Sequence, residues 1–287
     1  MSMTTQKKHS DMRFAFFGTS HIAVYCLEAL RAAGLTPALI VTPEDRPRGR
    51  GLAASPVAVA LWAQQHNIPF SHQWDSIDNT YDVAVVVDYG HLLPKHLLET
   101  PRRGFLNVHP SLLPRLRGPS PIRTAIRDNE QIVGVSIIVL DEEMDHGPLI
   151  AQKRIETPIW PLSASELETL LMREGGILLA RVLPEWVLGE IDAHSQNHDV
   201  ATYTKKIVKE DGLLNLRDDA YKNFLKIRAY EGWPGTYTFF ERNGKRLRVG
   251  ILDAHMENGE LIIDLVKPEG KREMPYAEFL RSGAMPI

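Results

Sequence analysis

The chain has 287 residues, 44% of them hydrophobic and 24% charged, with one cysteine and a formal net charge of -3. That length favours two domains and leaves room for a sizeable core. The slight negative charge excludes a global attraction to nucleic acid, so a polyanionic partner has to be met by a local basic patch; a lone cysteine excludes an intramolecular disulfide and a cysteine-rich zinc site.

Residues 1–12 (MSMTTQKKHSDM) are polar and lack the apolar core of a secretory signal, so they read as a flexible tail. Arg13 to Phe17 (RFAFF) is a nearly continuous apolar run ending at Gly18, the pattern of a buried parallel strand. Thr19 or Ser20 can cap a helix carrying Ala23, Val24, Leu27 and Leu30 at helical spacing and ending near Gly34. Cys26 lies on that helix, where it is expected as a packed core residue rather than a nucleophile. Pro37 to Val41 reads as a second strand. The loop from Thr42 to Val57 (TPEDRPRGRGLAASPV) follows, then a helix from about Ser55 to His66. Val83 to Val87 (VAVVV) is the most strand-like run, and Phe105 to Val108 is another strand, with Asn107 and His109 at its carboxyl end. Strands alternating with helices predict an α/β fold with a doubly wound, mostly parallel sheet. Ligands of such sheets bind beyond the carboxyl ends of the strands, where Asn107, His109 and Tyr89-Gly90 fall.

Gly134 to Leu140 and Leu149 to Ile155 are β-rich and flank the polar segment DEEMDHG, which predicts a hairpin-like extension of the sheet. Ser163 to Leu188 is a long amphipathic helix: Ser163 can cap it, Glu166 completes a capping box, and Gly189 follows its end. A polar linker is expected over 190–202. Beyond it come a helix near Asp219 to Tyr230 and strands near Tyr237–Phe240, Arg246–Leu252 and Leu261–Val266. The expected organisation is therefore a tail (1–12), a catalytic domain (13–189), the linker, and a small β-rich domain (203–287). No stretch approaches the roughly 18 apolar residues of a membrane span, and a cytoplasmic location is expected.

The segment from Asn107 to Ile122 (NVHPSLLPRLRGPSPI) is the densest in chemistry. Residues two apart on a strand project to one face, so Asn107 and His109 can converge on one reacting group. Pro110, Pro114, Pro119 and Pro121, with Gly118, make the following loop stiff and exposed, which suits a pocket wall. The plainer reading is a strand followed by a proline-rich connection. The segment LDEEMDHG, from Leu140 to Gly147, has four acidic residues and reads most simply as a solvated turn. An aspartate brought beside a histidine would instead hold the imidazole in one tautomer and favour its charged form. His146 is as readily a surface residue. In the loop after the second strand, Arg46, Arg48 and Arg50 alternate with proline and glycine; this is either a solvated loop or a grip for phosphates. Gly18-Thr19-Ser20-His21 is not a GxGxxG fingerprint, which disfavours a nicotinamide enzyme, and the scattered histidines predict no metal.

In this order the segments FFGTS, TPEDRPRGRG, SPV, VVVDYGHLLP, NVHPSLLPRLRGPSPI, LDEEMDHGPLIA, TYTKKIVKEDGLLN and IRAYEGWPGTYT resemble the folate-dependent formyltransferase family, most closely its tRNA-specific branch, over nearly the whole chain. The resemblance implies Asn107, His109 and Asp145 as catalytic residues and 10-formyltetrahydrofolate as formyl donor. It implies a folate pocket lined by Tyr89, Gly90, His91, Leu92, Leu93 and Pro94, by Ser111, Leu112, Leu113 and Pro114, and by Leu140, Asp141 and Glu142. It further implies an OB-like C-terminal domain, and a loop carrying Arg46, Arg48 and above all Arg50 that engages initiator methionyl-tRNA; a monomer is expected. Either His109 or Asp145 could serve as general base. Two other readings stand beside this one: a nucleotide-linked amino sugar as acceptor, or a catalytically silent RNA- or folate-binding protein. Intact Asn107, His109 and Asp145 argue against the last. Two departures bear on the acceptor and the donor: little room for extra strands between Leu252 and Leu261, and Asp88 where tRNA-specific members carry a small residue.

Overall fold

Phe14–Gly18 forms strand β1, buried at every position, as its unbroken apolar run requires. The structure, a computed structural model, describes residues 12–44, 46–47, 54–55 and 57–287. The chain divides into two compact units, one made of residues 1–117, 133–155 and 168–203, the other of 118–132, 156–167 and 204–287.

In the first unit β1 leads into helix α1 (His21–Ala32), whose N-cap Ser20 accepts a hydrogen bond from the Ile22 backbone N–H at 3.2 Å. Strand β2 (Leu39–Val41) follows, then the short antiparallel pair β3 (Arg46–Pro47) and β4 (Ala54–Ser55). Helix α2 (Ala58–Gln65), β5 (Phe70–Ser71), β6 (Val83–Val87), helix α3 (Lys95–Leu98) and β7 (Phe105–His109) complete the parallel half. Helix α2 starts later than expected, at Ala58, with Val57 in extended conformation as its cap. Strands β8 (Val133–Val139) and β9 (Leu149–Ile155) add an antiparallel hairpin. The sheet order is β5-β2-β1-β6-β7-β8-β9. The last strand ends the sheet with Gln152, Lys153 and Arg154, all three exposed, and the two charges blunt a bare edge.

From β1 the chain winds out to β2 and β5 on one side, then to β6 and β7 on the other. The reversal makes the carboxyl ends of β1 and β6 a topological switch point, the place where sheets of this kind form their ligand crevice. Gly18 closes β1 at that point. A Cβ there would lie 2.8 Å from the Phe16 ring, 3.0 Å from Ala23 and 3.2 Å from the Val87 carbonyl oxygen. The glycine therefore lets strand, neighbouring strand and helix meet beside the crevice.

Helix α5 (Ala164–Leu188) begins with the expected capping box. Ser163 Oγ accepts from the Glu166 N–H (3.3 Å), and Glu166 Oε2 accepts from the Ser163 N–H (2.7 Å). Further along, Gly175 and Gly176 serve different neighbours. A Cβ on Gly175 would meet Val108 at 2.7 Å, and one on Gly176 would meet the Cα of Cys26 and the Cβ of Ala29 at 2.8 Å. Cys26 is fully buried, donates its thiol to the Met172 carbonyl at 3.1 Å, and burial pushes that thiol above its ordinary range.

The second unit contains α4 (Pro121–Arg127), α6 (Ala220–Ala229) capped by Asp219, and the strands β10 (Thr236–Arg242), β11 (Lys245–Glu257), β12 (Glu260–Pro268), β13 (Met274–Pro275) and β14 (Met285–Pro286), with α7 (Tyr276–Leu280) before the last. The antiparallel order is β13-β12-β11-β10-β14 around a core that includes Phe240, Val249, Val266 and Phe279. The interval from Leu252 to Leu261 is filled by the ends of β11 and β12. Asn258-Gly259 joins them and Asn243-Gly244 joins β10 to β11, all four at positive φ as a two-residue hairpin turn of this twist demands. Those two Asn-Gly pairs were the signals that set the strand lengths.

Gly176→Ala should destabilise the protein by about 1–3 kcal/mol through overpacking against α1, although alanine is the better helix former by roughly 1 kcal/mol. Urea unfolding checks this, and a neutral or stabilised variant would contradict the close approach.

Candidate active site

The site is built where β7 ends. Asn107 and His109 sit on the same face of β7, and the turn between β8 and β9 brings Asp145 to them. Asn107 Nδ2 donates to Asp145 Oδ1 at 3.3 Å, and His109 Nδ1 lies 3.5 Å from the same oxygen. His109 is 4% exposed, so its ring has little water to bond with. Its other nitrogen, Nε2, meets the carbonyl oxygen of Leu116 at 3.0 Å. A carbonyl oxygen only accepts, so Nε2 carries a proton and, in the neutral ring, Nδ1 holds the lone pair. The unprotonated nitrogen of the neutral ring therefore faces the Asp145 carboxylate.

Unusual backbone supports this geometry on both sides. Leu116, whose carbonyl fixes the ring, has φ 58°, and Asp145 has φ 51°. Left-handed backbone is tolerable for aspartate and uncommon for leucine, and it persists where surroundings over-determine it. Leu116 N–H donates to Thr202 Oγ1 at 2.8 Å, and Arg117 N–H donates to the Thr202 carbonyl at 2.9 Å.

The loop over 111–114 is anchored from beneath by Ser136 on β8. Ser136 Oγ accepts from the Leu113 N–H (3.0 Å) and from Gln152 Nε2 (2.9 Å), and donates to the Ser111 carbonyl (2.6 Å). Gln152 Nε2 also donates to the Leu113 carbonyl at 2.7 Å. The loop expected to be exposed instead has Ser111, Leu113, Leu116 and Arg117 buried, because the buried Ser136 and the exposed Gln152 bind its backbone from beneath.

The acidic turn is likewise built rather than loosely solvated. Asp141 accepts from the Glu143 N–H at 3.0 Å and contacts His146 Nδ1 at 2.7 Å, and the His146 ring stacks on His198 at 4.1 Å. Glu142 pairs with Lys95 at 2.5 Å, which raises the lysine pKa by hydrogen bonding and charge. A Cβ on Gly147 would lie 1.8 Å from the Val139 carbonyl oxygen, so the turn can close only over a glycine.

The other sequence-predicted pocket residues separate by exposure. Tyr89 is buried with its ring edge-on to Phe17 at 5.3 Å, so its side chain belongs to the core; its carbonyl accepts from Thr19 Oγ1 at 3.0 Å. Ser111 and Leu113 are buried too. Gly90, His91 and Leu92 are exposed, Leu92 at 89%, while Leu93, Pro94, Leu112, Pro114 and Leu140 are half-buried. Asp88 is exposed at φ 47°, the outward-facing arrangement rather than one buried in the crevice. Arg46 belongs to β3, and Arg48 and Arg50 lie outside the described residues. No group of three His, Cys, Asp or Glu side chains placed to hold a metal occurs among the described residues, and none of their helices is long and apolar enough to cross a membrane.

Sequence reasoning missed Leu116, Arg117, Gln196, His198 and Thr202. The interval expected as a linker carries Gln196 at 4% exposure, and Arg117 is 1% exposed. No local pattern marks a polar residue for burial when its partners are distant in the chain.

Comparisons with known proteins agree with this architecture. The formyl transferase family model matches residues 12–183, and the model of the formyl transferase C-terminal domain matches residues 206–260. A methionyl-tRNA formyltransferase of Chloroflexus aurantiacus is 41% identical over 83% of this chain and 79% of its own length. The enzyme of that name from Thermus thermophilus is 37% identical over 94% of this chain and 96% of its own. Among solved structures, an N-formyltransferase from Helicobacter canadensis, in complex with folinic acid and dTDP-3-aminofucose, superposes with a TM-score of 0.65 at 16% identity over 86% of this chain and 88% of that one. At that identity the likeness is one of fold.

Ser136→Ala strands the buried Leu113 N–H and should cost about 1–3 kcal/mol. Chemical denaturation measures this, and unchanged stability would mean that the wall is held by other means.

Proposed function

The chain belongs to the formyl transferase family, and from that premise we propose that it transfers the formyl group of 10-formyltetrahydrofolate to the α-amine of methionine carried by initiator tRNA, in support of translation initiation. The observation that carries the chemistry is the meeting of Asn107 and His109 on one oxygen of Asp145 at the carboxyl edge of the sheet. The donor supplies a formyl carbon open to attack by a primary amine. As that attack proceeds, the amine nitrogen bonds to the formyl carbon and the carbon–N10 bond breaks; His109 Nδ1 is the site that takes up the amine proton and passes it to N10 of the departing tetrahydrofolate, with Asp145 beside the ring while it carries that proton. Asn107 Nδ2 is the neutral donor available to the formyl oxygen as negative charge grows on it. On this reading His109 is the base and Asp145 the anion beside it.

The crevice residues fit a folate. Gly90, His91 and Leu92 offer exposed backbone and an apolar side chain at the switch point, and the half-buried Leu93, Pro94, Leu112, Pro114 and Leu140 are suited to a flat heterocycle. Asp141 and Glu142 hold their turn through His146 and Lys95, which gives them a positioning part.

For the acceptor, the curated relatives with 37–41% identity are tRNA enzymes by name, whereas the sugar enzyme shares the fold alone. The sheet of the second unit also offers an outer face suited to RNA. Tyr237 and Phe239 lie on it with Arg248 stacked 3.8 Å from the Tyr237 ring centroid and Arg246 at 3.7 Å from that of Phe239. Alternating aromatic rings and arginines serve stacking and phosphate contact together. Arg46, Arg48 and Arg50 are assigned to the acceptor stem on the strength of their sequence pattern, and the protein is taken to act as a cytoplasmic monomer.

Purified protein with 10-formyltetrahydrofolate should formylate methionyl initiator tRNA and leave nucleotide amino sugars untouched. Turnover with a sugar alone would overturn the acceptor, and no turnover with any amine would favour a silent binding protein. Substituting Asn107 or His109 by alanine should lower kcat by on the order of 10²-fold or more with smaller changes in KM. A second set of variants separates acceptor from chemistry. Arg50→Ala should weaken tRNA formylation several-fold with folate binding intact, and Arg246→Ala with Arg248→Ala should reduce the salt dependence of tRNA binding by about 2 in log–log slope. An unchanged slope would remove that face from the tRNA contact.

A further inference from the structure

Gln196 lies about fifty residues from Asp145 in sequence, yet it is in direct contact with the turn that presents it. Its Nε2 donates to two carbonyl oxygens of that turn, those of Asp145 and Gly147, each at 2.8 Å. Its Oε1 accepts from Arg117 twice, from Nε at 3.2 Å and Nη2 at 2.7 Å. Carbonyls only accept and a guanidinium only donates, so the amide has one orientation and its whole bonding capacity is used. Arg117 is held in turn by donating to Tyr203 Oη at 3.1 Å and by contact with His198 Nδ1 at 2.8 Å. Arg117 also follows Leu116 directly, the residue whose carbonyl fixes the tautomer of His109.

We infer that Gln196 and Arg117 form a buried clamp that positions the catalytic pair, with Gln196 setting Asp145 and Arg117 setting the Leu116 carbonyl. The physical need is clear. Asp145 stands at φ 51°, in a left-handed conformation that costs energy unless its surroundings hold it. Two hydrogen bonds to the carbonyls on either side of residue 146 hold the turn in that shape. A fully satisfied buried network of this kind is rigid, and a partly satisfied one is costly. Neither clamp residue touches the reacting atoms. Both act through Asp145 and His109, which makes them positioning residues for formyl transfer.

The inference rests on the proposed reaction, and the test separates the two. Gln196→Glu keeps the size and both contacts with Arg117 but offers two carbonyl oxygens an oxygen in place of a donor. It should lower kcat on the order of 10²-fold by misplacing Asp145, with KM for donor and tRNA within about 2-fold. In an Asp145→Asn background the same change should cost roughly 2-fold or less, because the group it positions is already gone. Arg117→Lys, which keeps the charge but loses the fork, supplies a second cycle with the same expected non-additivity should Gln196→Glu not fold. Losses that multiply in both cycles, or full activity in a folded Gln196→Glu protein, would overturn the clamp. Failure of the wild-type protein to formylate methionyl-tRNA would instead overturn the reaction.

Discussion

A hydrogen bond to a backbone carbonyl can be made in one sense only, and His109 makes one to Leu116. That single constraint puts the proton on Nε2 and the lone pair of the neutral ring on Nδ1, toward Asp145. The rest of the first unit can be read as support for it. Strand β7 places the ring, the loop over 110–117 places the carbonyl, and the turn after β8 places the carboxylate. Each of these segments is tied down by a polar group: the buried Ser136 and the exposed Gln152 under the loop, Thr202 beside Leu116, the buried Gln196 behind the turn. Under the proposed reaction, that many residues hold one imidazole because a base works only when its free nitrogen is aimed.

The same logic explains why glycines and left-handed residues gather around the site. Gly18 and Gly147 are places where a Cβ would strike backbone or ring, and Leu116 and Asp145 adopt positive φ. Strain of this kind is maintained where it positions functional groups. The helix α5 glycines do comparable work further away, allowing the helix to approach both β7 at Val108 and α1 at Cys26.

Much of this was legible in the sequence, and for identifiable reasons. Buried parallel strands announce themselves as apolar runs, so RFAFF and VAVVV marked β1 and β6. The capping box at Ser163 and Glu166 is a local pattern and formed as written. Asn107 and His109 share a face because strand periodicity is two. What was not legible depends on contacts between distant segments. Nothing in HSQNHDV marks Gln196 for burial, and nothing in PRLRG reveals that Leu116 turns its carbonyl to a histidine. The Tyr89 ring packs edge-on to Phe17, a contact between distant segments that no local pattern marks. The β11–β12 hairpin ran longer than its hydrophobic run suggested because the Asn258-Gly259 turn, rather than hydrophobicity, sets where the strands end.

The assignment of base and anion therefore turns on the tautomer of one ring. It can be read directly by nitrogen NMR of protein labelled in its histidines, with His109 assigned by its loss in a His109→Gln variant, at a pH where the ring is neutral. A His109 signal pair with the proton on Nε2 and an unprotonated Nδ1 is the expected result. A neutral ring protonated on Nδ1 would contradict it, because the nitrogen facing Asp145 would then have no lone pair to offer the amine.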